Sequence, residues 1–203
     1  MRLIDALKEK GKPFVIPVCP RNELPELFKE LGFKVGAEIG VYKGNFTRIL
    51  GSGGLRIYGI DPWSAFGRGG TRQARDDYLY EKARRTIKDS PNCSFIRKTS
   101  MDALADFRDG SLDFVYIDAN HEFRYVAEDI YEWSKKVRVD GVVSGHDYVC
   151  TDDEQRNKCE HVGPVVDAYA KAFGIENYYV FGRSKQMEEE GWHDRYLSWF
   201  WIK

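Results

Sequence analysis

The feature that most constrains this chain is the run Asp113-Phe-Val-Tyr-Ile-Asp118 together with the segment after it. An unbroken apolar run between two aspartates reads as a strand buried on both faces, the pattern of a parallel sheet. Directly after it, apolar residues recur at Phe123, Val126, Ala127, Ile130, Trp133 and Val137, the spacing of an amphipathic helix. Gly141-Val-Val-Ser-Gly145 then supplies another short strand, entered through the turn Val139-Asp140-Gly141. Strand, helix, strand in this order is one crossover unit, and parallel neighbours need such a helix between them.

The alternation continues in both directions. Residues Val35 to Gly40 form a small apolar run ending at glycine, and Asn45 to Leu50 reads as the opening of a helix. A strand over Leu55 to Ile60 stops at Asp61-Pro62, where proline removes a ladder donor. Gln73 to Ile87 is long enough for a helix, Cys93 to Ile96 reads as a strand, and Met101 to Phe107 as a short helix. Gly163 to Phe173 has Val165, Ala168, Tyr169 and Ala172 at helical spacing. Tyr178 to Phe181 and Leu197 to Ile202 read as two strands of a long hairpin across the turn-rich, acidic Ser184 to Gly191. The expected fold is α/β: a Rossmann-like, doubly wound, mostly parallel sheet with a C-terminal antiparallel hairpin at one edge. Residues 35–203 would form this domain. Residues 1–34, with the amphipathic Asn22 to Leu31, would be a helical lead-in packed on the sheet or on a partner subunit, which leaves room for a homo-oligomer.

Composition narrows the class. With 42% hydrophobic and 31% charged residues the chain can fill one globular core, and a net charge of −1 creates no field for a polyanion. No nucleic-acid partner is expected, Arg68, Arg72 and Arg75 being the one small basic cluster noted. There is no apolar run of membrane length and no secretory signal at the start, so no membrane partner is expected either. Cys19, Cys93, Cys150 and Cys159 include no Cys-x-x-Cys pair, which fits a reducing, cytoplasmic setting. Cys150 and Cys159 cluster with His146 and His161, but their spacing matches none of the usual structural zinc patterns.

In a doubly wound sheet the ligand lies beyond the carboxyl ends of the strands, beside the first one. There the chain reads Ala37-Glu38-Ile39-Gly40-Val41-Tyr42-Lys43-Gly44. Glycine allows the sharp turn and lets a ligand approach the backbone, so Gly40→Val is expected to harm binding more than folding. Asp61 follows about 20 residues later, the spacing of a carboxylate that accepts ribose hydroxyls. The dinucleotide pattern G-x-G-x-x-G is absent, which disfavours the alternative of a nucleotide-cofactor oxidoreductase. Glu38 instead suits the cationic end of a ligand.

Taken together, Ala-Glu38-Ile-Gly40-Val-Tyr-Lys-Gly44, Tyr-Gly-Ile-Asp61-Pro-Trp63, Thr-Ser100-Met-Asp102, Asp-Phe-Val-Tyr-Ile-Asp118-Ala-Asn-His121 and Gly141-Val-Val-Ser-Gly-His146-Asp147-Tyr148 resemble class I S-adenosylmethionine (SAM)-dependent methyltransferases. Within that family the chain is most similar to small bacterial-type enzymes whose fourth strand ends Ile-Asp-x-x-His. The resemblance implies that Glu38, Gly40 and Gly44 hold the methionine part of SAM and that Asp61 binds the ribose. It places Ser100 and Met101 near the adenine, with Trp63 packed by the adenosine. Asp118, at the end of the same strand edge, belongs to the cofactor side and to the acceptor side.

Methyl transfer from a sulfonium needs an aligned nucleophile and, where that nucleophile carries a proton, a base or a metal. His121 is the expected general base, with Asp118 as its orienter, because imidazole titrates near neutral pH. Catechol-type and macrolide-sugar O-methyltransferases use magnesium instead, and Asp118 and Asp147 match two of their ligand positions, with Tyr148 where the catechol-type pattern has an amide. The expected activity is methylation of a small-molecule acceptor, on oxygen. A non-catalytic SAM-binding protein is the alternative. The polar segments Trp63 to Arg75 and Asp147 to Glu160 are candidate walls of the acceptor pocket.

Overall fold

The computed structural model describes residues 1–64, 73–148, 161–182 and 196–203. Arg68, Arg72, Cys150, Cys159, the Ser184 to Gly191 turn and most of both candidate pocket segments lie outside them. In chain order the elements are α1 (Leu3–Ala6), β1 (Phe14–Ile16), α2 (Leu24–Glu30), β2 (Val35–Ile39), α3 (Asn45–Ser52), β3 (Arg56–Ile60), α4 (Gln73–Thr86), β4 (Cys93–Ile96), α5 (Ser100–Ala103), β5 (Leu112–Ile117), α6 (Phe123–Lys136), β6 (Val137–Tyr148), α7 (Val162–Ala172), β7 (Tyr179–Phe181) and β8 (Leu197–Ile202). Short 3-10 turns precede α2 and follow α5. No helix among the described residues is long and apolar enough to cross a membrane.

The strands form one sheet in the order β1-β7-β8-β6-β5-β2-β3-β4. Only β8 runs against the others; its antiparallel pairing with both β6 and β7 is the expected C-terminal hairpin. The hairpin does not end the sheet, because β1 pairs in parallel with β7, Phe14 opposite Tyr179. The expected helical lead-in therefore also contributes a strand. From β2 the chain builds outward through β3 and β4, then returns to β5 on the other side of β2 and builds the opposite way. The order reverses between β2 and β5, which is where a crevice opens at the carboxyl ends of a doubly wound sheet.

β5 shows why the sheet is buried on both sides. Phe114 and Tyr116 face α2 and α3, where Phe114 stacks on Phe28 at 4.0 Å and Tyr116 meets Phe46 at 4.5 Å. Val115 and Ile117 face the other core, with Val126, Ile130 and Trp133 of α6. Helix ends follow local chemistry. Pro25 sits in the first turn of α2, where its missing N–H costs nothing, and Thr99 caps α5 by accepting from the Asp102 amide at 3.1 Å.

A register shift shapes the end of β6. Gly145 pairs with Trp199 and Tyr148 with Leu197, so His146 and Asp147 stand opposite the single residue Ser198, a bulge that holds Asp147 at φ +59°. Bulges of this kind re-aim a side chain, and here the one re-aimed is Asp147.

Candidate active site

The β2–α3 turn is built by glycine and by a carboxylate from the next strand. Gly40 has φ +90°, and a Cβ there would lie 2.0 Å from the carbonyl oxygen of Asp118 and 2.8 Å from the Cα of Ala119. The space a side chain would need is thus filled by the backbone leaving β5, whose Asp118 amide donates to the Ile39 carbonyl at 2.7 Å. This corrects the expectation that Gly40→Val would act mainly on a ligand. Gly44, at φ +76°, is the N-cap of α3 and packs against Ala83 and Phe95; it is not on the cavity wall.

Asp61 crosses to this turn from the end of β3. Its Oδ2 accepts from the amides of Val41 and Tyr42 at 3.0 and 2.9 Å, and its Oδ1 from that of Trp63 at 2.7 Å. A carboxylate has roughly four acceptor positions, so about one remains for a ligand. Trp63 is buried beside it: the indole donates to the Tyr42 carbonyl at 2.8 Å and packs on Tyr80 and Phe95.

Glu38 lies beneath the turn. It is 2% exposed, does not reach the cavity wall, and accepts from the Thr47 hydroxyl. Burial pushes its pKa up to about 8, against the pull of that hydrogen bond. At neutral pH its carboxyl is therefore mostly uncharged in this structure, not the fixed anion that the sequence suggests.

A cavity of about 680 Å³ opens above these residues, a size that fits a small ligand. Gly40, Asp61, Trp63, Ser100, Met101 and Asp118 all line it, joined by Arg75 and by Asp129 of α6. Ser100 donates to Asp129 Oδ1 and accepts from the Trp133 indole at 2.7 Å. Helical periodicity counted on apolar residues alone passes over Asp129. Yet it falls on the face shared by Val126, Ile130 and Trp133, and an acid at a core position of a helix is itself the signal. Burial raises its pKa to about 6.

Beside the Asp118 end lies a polar cluster. The ligand atoms of Asp118, His121 and Asp147 are all within 4.8 Å of one another. His121 Nε2 is 3.0 Å from Asp147 and 3.9 Å from Asp118, and these carboxylates raise its pKa to about 10. Burial opposes the charge of Asp147, but His121 and His146, the latter 3.3 Å away, hold it well below the usual carboxylate range. In this arrangement the two carboxylates favour the protonated imidazole, which is the form that donates a proton rather than the one that acts as a base. Tyr148 points away, donating to Asp167 at 2.7 Å. His161 is occupied elsewhere, its Nδ1 accepting from the Phe123 amide at 2.9 Å.

A further cation comes from the lead-in. The chain leaving β1 hydrogen-bonds at Cys19 to Gly182 and then delivers Arg21, whose guanidinium is 3.1 Å from Asp118 and lies over the Phe46 ring. The sequence carries no local sign of this, because the partner is 97 residues away.

A family model described as "Methyltransferase domain" matches residues 37–148, more than half of the chain and the part that carries Gly40, Asp61, Ser100, Asp118, His121 and Asp147. No curated protein sequence matches the chain. Among solved structures it is similar to the O-methyltransferase from Bacillus cereus in complex with SAH, with 18% identity, 90% of this chain and 80% of that chain covered, and a TM-score of 0.60. It is also similar to the O-methyltransferase TomG from Streptomyces achromogenes, involved in tomaymycin synthesis and in complex with SAM, with 15% identity, 90% and 78% coverage, and a TM-score of 0.64. Cofactor-bound Rv0187 from MTB shares 16% identity over 99% and 89% of the two chains at a TM-score of 0.60. These likenesses speak for the fold, and the family match speaks for the activity: the chain belongs to the methyltransferase-domain family and is a class I SAM-dependent methyltransferase.

Proposed function

We propose that this chain binds SAM in the cavity between Gly40, Asp61 and Ser100 and passes its methyl group to an oxygen of a small-molecule acceptor approaching past Asp118. The observation that carries the reading is that six residues singled out as cofactor contacts, from four different strand ends, line one cavity at the switch point of the sheet. Asp61 offers its remaining lone pair to a ribose hydroxyl, and the sulfonium end would lie along the cavity wall at Gly40. Glu38 acts from below the turn: an arriving ammonium favours its ionised form, so binding and its proton release are linked. Oxygen as the nucleophile is supported by the two similar O-methyltransferases.

The acceptor side is best read as a divalent cation site. Two carboxylates and an imidazole, each offering one atom, fit such an ion. A nitrogen donor suits manganese or another first-row transition ion better than magnesium, which prefers oxygen throughout. Bound there, the cation would lower the pKa of an acceptor hydroxyl. Asp118 and Asp147 would hold it, His121 would give up its proton, and Arg21 would release part of its hold on Asp118.

A thermal-shift panel tests both parts. At one hundred times Kd a ligand adds about 2.7 kcal/mol, a rise of roughly 5–10 °C for a chain of this size. SAM and S-adenosylhomocysteine (SAH) should raise Tm, and NAD and NADP should not. Manganese should raise it more than magnesium, and Asp147→Asn should abolish that response. A rise with NAD but not SAH removes the cofactor reading; no manganese response removes the cation reading.

A further inference from the structure

We infer that Asp129 is the residue that reads the exocyclic amino group of the cofactor's adenine. The inference rests on the placement of SAM proposed above. A ligand laid across the carboxyl ends of β5, β2, β3 and β4 meets Asp118, Gly40, Asp61 and then the Thr99–Met101 segment beyond β4. With neighbouring strands about 4.8 Å apart, that path is ~14 Å long. Asp61 fixes the ribose, so the methionine end lies toward Asp118 and the base toward Ser100 and Met101.

SAM carries two amino groups, the ammonium of its amino acid and the exocyclic amine of adenine. The first belongs to the Asp118 and Glu38 end. At the other end Thr99, Ser100, Glu128 and Asp129 are among the polar residues of the wall, and Ser100 has already committed its hydroxyl proton to Asp129 and one lone pair to the Trp133 indole. Asp129 is 4% exposed, yet it lines the cavity. Its Oδ1 is taken by Ser100; no described residue donates to Oδ2. A buried carboxylate oxygen with spare capacity asks for an N–H donor, which adenine supplies at its amino group. Hypoxanthine presents a carbonyl oxygen at that position, which the carboxylate repels. The Ser100 bond also ties α6 to the exit of β4, so the carboxylate is held in place before the ligand arrives.

The test is calorimetric titration of wild type and Asp129→Asn with SAH and with S-inosylhomocysteine, which differ at that one position of the base. Wild type should prefer SAH by tenfold or more. Asp129→Asn keeps the size of the side chain and an acceptor for Ser100, and its amide can turn either face to the base, so the preference should fall to about threefold or less. Wild type that binds SAH and S-inosylhomocysteine equally overturns the inference whatever the variant does. So does an Asp129→Asn protein with an unchanged preference. Wild type that binds neither nucleoside overturns the placement of SAM instead.

Discussion

Gly40→Val should fail to fold, or melt far below wild type, rather than fold and lose its ligand. Two costs combine at this position. A branched residue at φ +90° is strained by about 1–3 kcal/mol, and its Cβ meets the carbonyl oxygen of Asp118 at 2.0 Å, a backbone atom that cannot rotate away. Relief would require β5 to shift its exit from the sheet, which would move Asp118 as well. The expected total is about 4 kcal/mol or more, at the far end of what single substitutions do. Gly54 separates the two costs, because it has φ +79° and nothing lies within 4 Å of where its Cβ would sit. Gly54→Ala should therefore show strain alone, about 1–2 kcal/mol. Thermal melts of both variants decide the matter: a Gly40→Val protein that melts like wild type would mean that the contact with β5 is not as described.

Glu38→Gln should stabilise the protein at alkaline pH and leave it nearly unchanged in acid. In the folded chain the Glu38 pKa is raised from 4.5 to about 8, chiefly by burial. Below the unfolded value both states carry the proton, and the group contributes no pH dependence. Between about 4.5 and 8 the folded state holds a proton that the unfolded state has released, so wild-type stability falls as pH rises through this window. Above it the loss is complete, on the order of 5 kcal/mol. Glutamine keeps an acceptor for Thr47 and does not titrate. His121 also titrates across neutrality, its raised pKa giving stability that is lost as pH rises toward about 10, but it does so in both proteins and cancels in the difference. Urea unfolding of the two proteins from pH 4 to pH 9 should give curves that diverge in favour of the variant. Parallel curves would show that Glu38 ionises in the folded chain as it does in the unfolded one and that its burial is relieved in solution.

The part of the fold legible in the sequence is the part governed by local pattern. The buried run before Asp118 and the apolar period through Trp133 mark a crossover unit without any knowledge of the rest of the chain. Punctuating residues at strand ends mark the ligand edge, which is why Gly40, Asp61, Ser100 and Asp118 can be named and why they meet in one cavity. Features that depend on distant partners are not legible. β1 is three residues long and exists because Tyr179–Phe181 accepts it, and only that pairing carries Arg21 to Asp118. The raised pKa of His121 depends on Asp118 and on Asp147, the latter turned toward it by a bulge in β6. Burial decides the state of Glu38, and no residue spacing encodes burial under a turn. Asp129 is an intermediate case, since its place on the helix can be counted but its neighbour Ser100 cannot.

SAM is proposed to occupy the cavity beside Gly40 and Asp61. Calorimetric titration of the wild-type chain with SAH tests it most directly, with Asp61→Ala as the second sample and melting curves to confirm that both are folded. Wild type should bind one SAH per chain. The variant should lose about 1.5–3 kcal/mol of binding, roughly tenfold to a hundredfold or more in Kd, because a charged acceptor to the ribose is removed. The variant should also have a lower Tm without ligand, since the same carboxylate holds the amides of Val41, Tyr42 and Trp63. Folded wild-type protein that takes up neither SAH nor SAM, or an Asp61→Ala protein that binds SAH as tightly as wild type, would contradict that placement.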